Sequence, residues 1–90
     1  MELHEIRQEI DKIDEQLVTL FTQRMNLSAQ VADIKKAKGL PIYVPAREQE
    51  IFEKVAELAG EELAPSIQSL YATVFQVSRD YQTKRNSESE

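Results

Sequence analysis

Arg24 stands where an apolar residue is expected. Leu3, Ile6, Ile10, Ile13, Leu17 and Leu20 recur at alternating steps of three and four, the next step falls on Arg24, and the series resumes at Leu27, Val31 and Ile34. A guanidinium on the apolar side of a helix costs free energy unless something pairs with it. A structural salt bridge, or an aliphatic stem whose head reaches outward, accounts for one such Arg taken alone. Lys35, however, lies eleven residues further on, close to three helical turns. The two side chains therefore point within about 20° of each other and sit about 16 Å apart along the axis. Long basic side chains so placed can converge on a small anion. From Arg24 to Arg47 the chain holds Arg24, Lys35, Lys36, Lys38 and Arg47 against the single acid Asp33, which is +5 and −1, in a chain of net charge −5. A positive island in an acidic protein suits a small anionic ligand. Lys36 and Lys38 read as solvated surface charges, and the run from Lys35 to Lys38 is too short to argue for nucleic acid.

Other polar residues are less telling by themselves. Ser78 and Gln82 are four apart and share a helix face, either as an ordinary boundary or as a polar lining that joins the basic cluster. Glu48 follows Arg47 in the first turn of an expected helix, where its charge favours the helix dipole. His4 has no second His, Cys or acidic cluster at ligand spacing, so no metal is expected. No Gly-rich phosphate loop and no Ser–His–Asp arrangement occurs.

The elements that must position these residues are helical. Gly39 is the first Gly or Pro in the chain, and the stretch before it follows a heptad seam, so one helix is expected from about Leu3 to about Ala37. The segment Gly39–Pro45 reads as the loop. Pro45 suits the first turn of a second helix, with Ile51, Phe52, Val55 and Leu58 inward and a stop at Gly60. Pro65 opens a third, with Ile67, Leu70, Val74, Val77 and Tyr81 as its seam, and the residues from Lys84 to Glu90 read as a polar, frayed tail. The expectation is one all-α domain over residues 1–85 and a disordered tail or linker remnant over 86–90. The 90 residues include no Cys, which excludes a disulfide framework, a thiolate metal site and a cysteine nucleophile. No apolar run approaches the ~18 residues of a membrane span. Glu2, Glu5, Arg7 and Glu9 interrupt any signal-peptide core, so a cytoplasmic setting is expected, with neither membrane nor nucleic acid as partner. A first helix of some 35 residues is about 50 Å long, and two shorter helices cannot cover so long a seam. The simplest solution is a homodimer with the long helices packed together. A first helix broken and folded back would do as well, but no Gly or Pro marks a break.

The ordered set Leu3-x-x-Ile6-Arg7-x-x-Ile10-x-x-Ile13-Asp14-x-x-Leu17, Arg24, Lys35, Pro45-x-Arg47-Glu48 and Ser78-Arg79-x-x-Gln82 resembles the all-helical chorismate mutases over residues 3 to 82. The resemblance implies an intertwined homodimer of three helices per chain that isomerises chorismate to prephenate in aromatic amino acid biosynthesis, without cofactor or metal. It implies that Arg7 reaches into the partner's site to bind a carboxylate. Arg24 would bind a carboxylate in its own subunit, supported by Arg47. Lys35 and Gln82 would donate to the ether oxygen of the breaking bond, Glu48 would accept from the ring hydroxyl, and Ser78 would contact a carboxylate. Arg7 precedes Lys35 by 28 residues, about 42 Å along a continuous helix, so the two can meet on one small molecule only if they come from different chains. Many members carry an acidic residue just before the Pro, where this chain has Val44, and no role is carried over to it. Such domains are often fused to other enzymes of the pathway.

A unimolecular pericyclic reaction needs no proton transfer and no nucleophile. It needs a flexible dianion held in one shape, a task suited to bidentate Arg forks, and donors aimed at the oxygen that gains charge. An isochorismate pyruvate-lyase of the same fold would use a similar basic site. A non-catalytic helical dimerisation module would explain the seam, but not Arg24 within it or Lys35 in line with it. The neutral amide of Gln82 cannot titrate. Turnover should therefore change little between mildly acidic and mildly alkaline pH, and a steep loss near neutrality in the folded protein would place a titrating group at the ether oxygen instead.

Overall fold

The computed structural model describes residues 1–88. They form three helices, α1 (Leu3–Lys38), α2 (Pro45–Ala59) and α3 (Ala64–Glu88). α1 runs its 36 residues without a break, as a sequence free of Gly and Pro allows. Lys35, Lys36 and Lys38 in its last turn complement the carbonyl end of the helix dipole. Gly39 then takes φ 67°, a left-handed conformation that costs glycine little. The Gly39 N–H donates to the Lys36 carbonyl and the Leu40 N–H to that of Lys35, which closes the helix end. Pro45 occupies the first turn of α2, and the Val44 carbonyl accepts from the N–H groups of Arg47 and Glu48.

α3 lies against both α1 and α2, which do not pack on each other. Its contact with α1 is made over Ser28, Ala29 and Ala32, all buried, so small side chains let the two helices approach closely. The opposite side of this contact is Phe75, which is 4% exposed. Its ring meets Phe52 of α2 edge-on at 5.0 Å and Tyr71 at 5.8 Å between centroids. Edge-to-face rings at such distances add to the area they bury.

The long seam of α1 is not covered by its own chain. Every residue from Met1 to Gln23 is exposed, and Leu3, Ile6, Ile10, Ile13, Leu17 and Leu20 keep 42–61% of their surface. The shape is correspondingly drawn out, 53 × 26 × 14 Å with a Cα radius of gyration of 16.2 Å, against about 12 Å for a compact chain of this length.

Three expectations need correction. Leu58 points to solvent, 73% exposed, because α3 covers the other side of α2, where Phe52, Val55 and Ala56 are half-buried. On α3 the inward stripe is Tyr71, Phe75, Ser78 and Gln82, one position round from the expected one, and Leu70, Val77 and Tyr81 are exposed. The polar tail does not fray at Lys84, since α3 continues to Glu88. The Asn86 side-chain amide donates to the Ala32 carbonyl, Lys36 Nζ donates to the Asn86 carbonyl at 2.7 Å, and Arg85 pairs with Asp33. Lys36 is thus part of this tie rather than a merely solvated charge. The Arg85 guanidinium holds the Asp33 carboxyl below its usual 3.8. Residues 89 and 90 of the expected tail lie outside the described residues.

Phe75 is buried on α3 against the Phe52 ring of α2 and the Tyr71 ring, so Phe75→Ala should lower the unfolding free energy by about 3–5 kcal/mol. Urea titration at fixed chain concentration measures this, and a loss under about 1 kcal/mol would show that the ring cluster is dispensable.

Candidate active site

One cavity of about 540 Å³ opens where the three helices and the 39–44 loop converge. α1 contributes Arg24, Leu27, Ser28, Val31 and Lys35, a continuous helical stripe. The loop adds Ile42 and Val44, α2 adds Arg47, Glu48 and Ile51, and α3 adds Phe75, Ser78, Arg79 and Gln82. Six of the seven residues singled out from the sequence, Arg24, Lys35, Arg47, Glu48, Ser78 and Gln82, therefore share one cavity. Arg7 lines none of it and lies on the exposed half of α1. The lining carries Arg24, Lys35, Arg47 and Arg79 against Glu48, +4 and −1, in a chain of net −5. Such a volume suits a small organic molecule, and such a charge suits an anion.

Each cation is held differently. The Arg24 guanidinium carbon lies 5.8 Å from the centre of the Tyr71 ring and 6.0 Å from that of Phe75. These are outer-limit cation–π distances, which favour one side of the guanidinium and leave its N–H groups for a ligand. Lys35 Nζ donates to the Ile42 carbonyl at 2.9 Å. An ammonium has three donors, so two remain. Arg47 pairs with Glu50 at 2.7 Å, but both side chains are mostly exposed, and such a pair is worth little. The Arg47 head can leave it at small cost. Arg79 donates to both carboxylate oxygens of Glu48 at 2.5 Å.

At the floor the Ser28 and Ser78 hydroxyls lie 3.1 Å apart, and Gln82 Nε2 donates to Ser78 Oγ at 3.1 Å. All three residues are buried. Gln82 Oε1 is buried without a hydrogen-bond partner, an arrangement that costs about 1–3 kcal/mol. Nε2 carries two hydrogens, so with one on Ser78 the other remains available. Among the described residues no group of three or more His, Cys, Asp or Glu could hold a metal ion.

Sequence reasoning missed Ser28, Tyr71, Phe75 and any part for Arg79. Ser28 had a signal in the spacing, because 24, 28, 31 and 35 follow the same three–four rhythm as the seam beside them. Arg79 stands in the motif Ser78-Arg79-x-x-Gln82, but its pairing had no local signal, since its carboxylate partner is 31 residues away on another helix.

An all-helical fold that gathers cations and amide and hydroxyl groups around one cavity suits a small organic anion. The chain belongs to the chorismate mutase type II family, whose model matches residues 6–83. It is 48% identical over 60 residues to a bifunctional chorismate mutase/prephenate dehydratase of Aquifex aeolicus, covering 67% of this chain and 17% of that one. It is 41% identical over 59 residues to a chorismate mutase of Methanocaldococcus jannaschii, covering 66% of this chain and 60% of that one. A T-protein of Haemophilus influenzae is 48% identical over 46 residues, 51% of this chain and 12% of its own. The chain thus spans less than two thirds of the length of each of these relatives. No solved structure matches it at a significant level.

The converging charges predict selective stabilisation by a shaped dianion. A bicyclic dicarboxylate mimicking a compact chair should raise the unfolding temperature more than an equal concentration of a plain dicarboxylate, and Arg24→Ala should abolish the difference. Equal shifts from both compounds would mean that the cavity recognises charge without shape.

Proposed function

We propose that this chain is a chorismate mutase, converting chorismate to prephenate as a homodimer. The reading is carried by one observation: Arg24, Lys35, Arg47, Glu48, Ser78 and Gln82, drawn from three helices, line a single cavity. In the rearrangement an ether C–O bond breaks as a C–C bond forms. No proton is transferred, which agrees with a lining that offers charge and hydrogen bonds but no nucleophile–base pair. Arg24 grips a substrate carboxylate through its planar fork, and Arg47, exposed and only weakly paired, reinforces the field. Ser78, fixed by Ser28 and Gln82, contacts a carboxylate. Lys35 and Gln82 direct their remaining N–H groups to the ether oxygen, where negative charge builds in the transition state. Removing one such donor typically costs on the order of 10² to 10³ in turnover. Glu48 accepts from the ring hydroxyl.

A second copy completes the site in this reading. The apolar stripe Leu3 to Leu20 is exposed over about five turns, too long a patch for a soluble monomer. Two such rods packed antiparallel bury it and bring Arg7 of each chain to the other chain's cavity. The name of the Aquifex relative joins the mutase to a second activity, which supports fusion as a use of this kind of domain.

A chorismate-consumption assay on the purified chain, with isochorismate in parallel, tests the activity. Loss of chorismate with prephenate formed supports the mutase, whereas pyruvate from isochorismate alone would make the protein a lyase. Mixing Arg7→Ala chains with Gln82→Ala chains tests the shared site. Each heterodimer then carries one intact site, and about a quarter of wild-type activity should return at full exchange. No recovery despite confirmed exchange would refute the donation of Arg7.

A further inference from the structure

We propose that Arg79 is a positioning residue for Glu48: it aims the carboxylate at the substrate hydroxyl and keeps it off the cations that the substrate needs. The inference rests on the mutase reading above, which gives Arg79 no part.

Glu48 is an acid in a cavity lined by Arg24, Lys35 and Arg47. A glutamate with three free torsions in such company would swing to the nearest cation. That would neutralise a charge meant for the dianion and turn its own oxygens from the hydroxyl. Arg79 prevents both. Its Nη1 straddles Oε1 and Oε2 at 2.5 Å each, with the two side chains only 26% and 19% exposed. Partial burial makes this pair firmer than the open Arg47–Glu50 pair beside it. A carboxylate has about four acceptor positions, so one contact per oxygen leaves a lone pair on each for a ligand. The guanidinium is itself fixed. Its Nη2 donates to Gln76 Oε1 at 3.0 Å, and its carbon lies 4.8 Å from the centre of the Tyr43 ring. The Glu48 carboxylate in turn holds the Arg79 pKa above its usual value.

Arg79 therefore joins α3 to α2 through Glu48 and to the 39–44 loop through Tyr43. The same loop is held one residue earlier by Lys35 on the Ile42 carbonyl. Arg suits the task better than Lys because its plane stacks on a ring while its edge meets a carboxylate.

The test is a double-mutant cycle on kcat and KM for chorismate, using the full chain, Arg79→Ala, Glu48→Gln and the combination, with Arg79→Lys as the conservative variant. Arg79→Ala should lower kcat/KM by about 10- to 100-fold, as small misplacements in a site do. It should also raise KM, because the released carboxylate competes for Lys35 and Arg47. Arg79→Lys should recover part of the loss. With Glu48→Gln already in place, Arg79→Ala should cost less than about threefold more, since its target is no longer charged. Equal losses in both backgrounds, or Arg79→Ala within about twofold of wild type, would overturn the inference. Where Arg79→Ala fails to fold, the same cycle run with Arg79→Lys decides it on the same criterion. If the unaltered chain does not consume chorismate, the mutase reading itself fails; independent losses in an active protein overturn only the part given to Arg79.

Discussion

A 36-residue rod followed by helices of 15 and 25 residues cannot hide its own apolar flank. Everything else in the chain is arranged around that constraint. The carboxy-terminal third of α1 is served from within by α3, which settles on Ser28, Ala29 and Ala32 and brings Ser78 and Gln82 with it. The amino-terminal portion, exposed from Met1 to Gln23, has no such partner in the chain. The division is chemical as well as geometric. The covered part holds the cavity with Arg24 and Lys35, and the uncovered part holds Arg7 among aliphatic residues.

The cavity shows how a net-negative protein sustains a positive site. Four cations face one acid within it, while the other acids are exposed wherever the described residues show their burial. What separates the cations is their freedom. Lys35 is restrained by a backbone carbonyl, Arg24 rests near two rings, Arg79 is committed to Glu48, and Arg47 is bound only by an exposed pair of small worth. The same charge thus has graded stiffness, from fixed framework to a head able to follow a ligand.

Much of this was readable in advance, and the pattern of success has physical causes. The ends of α1 and α2 and the starts of α2 and α3 are legible because Gly39, Pro45, Gly60 and Pro65 are strong local signals. The grouping of Arg24 with Lys35 was clear because periodicity alone decides it. The facing of α3 was not. Leu70, Val77 and Tyr81 are more apolar than Ser78 and Gln82, and an apolar stripe is the natural guess for the inside of a chain taken alone. The inward stripe is partly polar because it floors a cavity, and which stripe faces α1 depends on helix–helix contact. The end of α3 was misjudged for a related reason. Polar residues from Lys84 onward read as unstructured until Asn86 and Arg85 are seen to meet Ala32 and Asp33, more than 50 residues earlier.

Since α1 and α2 do not pack on each other, the spacing between Lys35 and Glu48 is transmitted only through α3 and the short strap from Gly39 to Val44. The strap starts in a left-handed turn at Gly39 and carries prolines at 41 and, just beyond it, at 45, so it has little slack. Its length acts as a ruler between an ammonium and a carboxylate. A residue gained or lost in the strap would shift the Glu48 carboxylate against the Lys35 ammonium, because no direct contact between α1 and α2 absorbs the change.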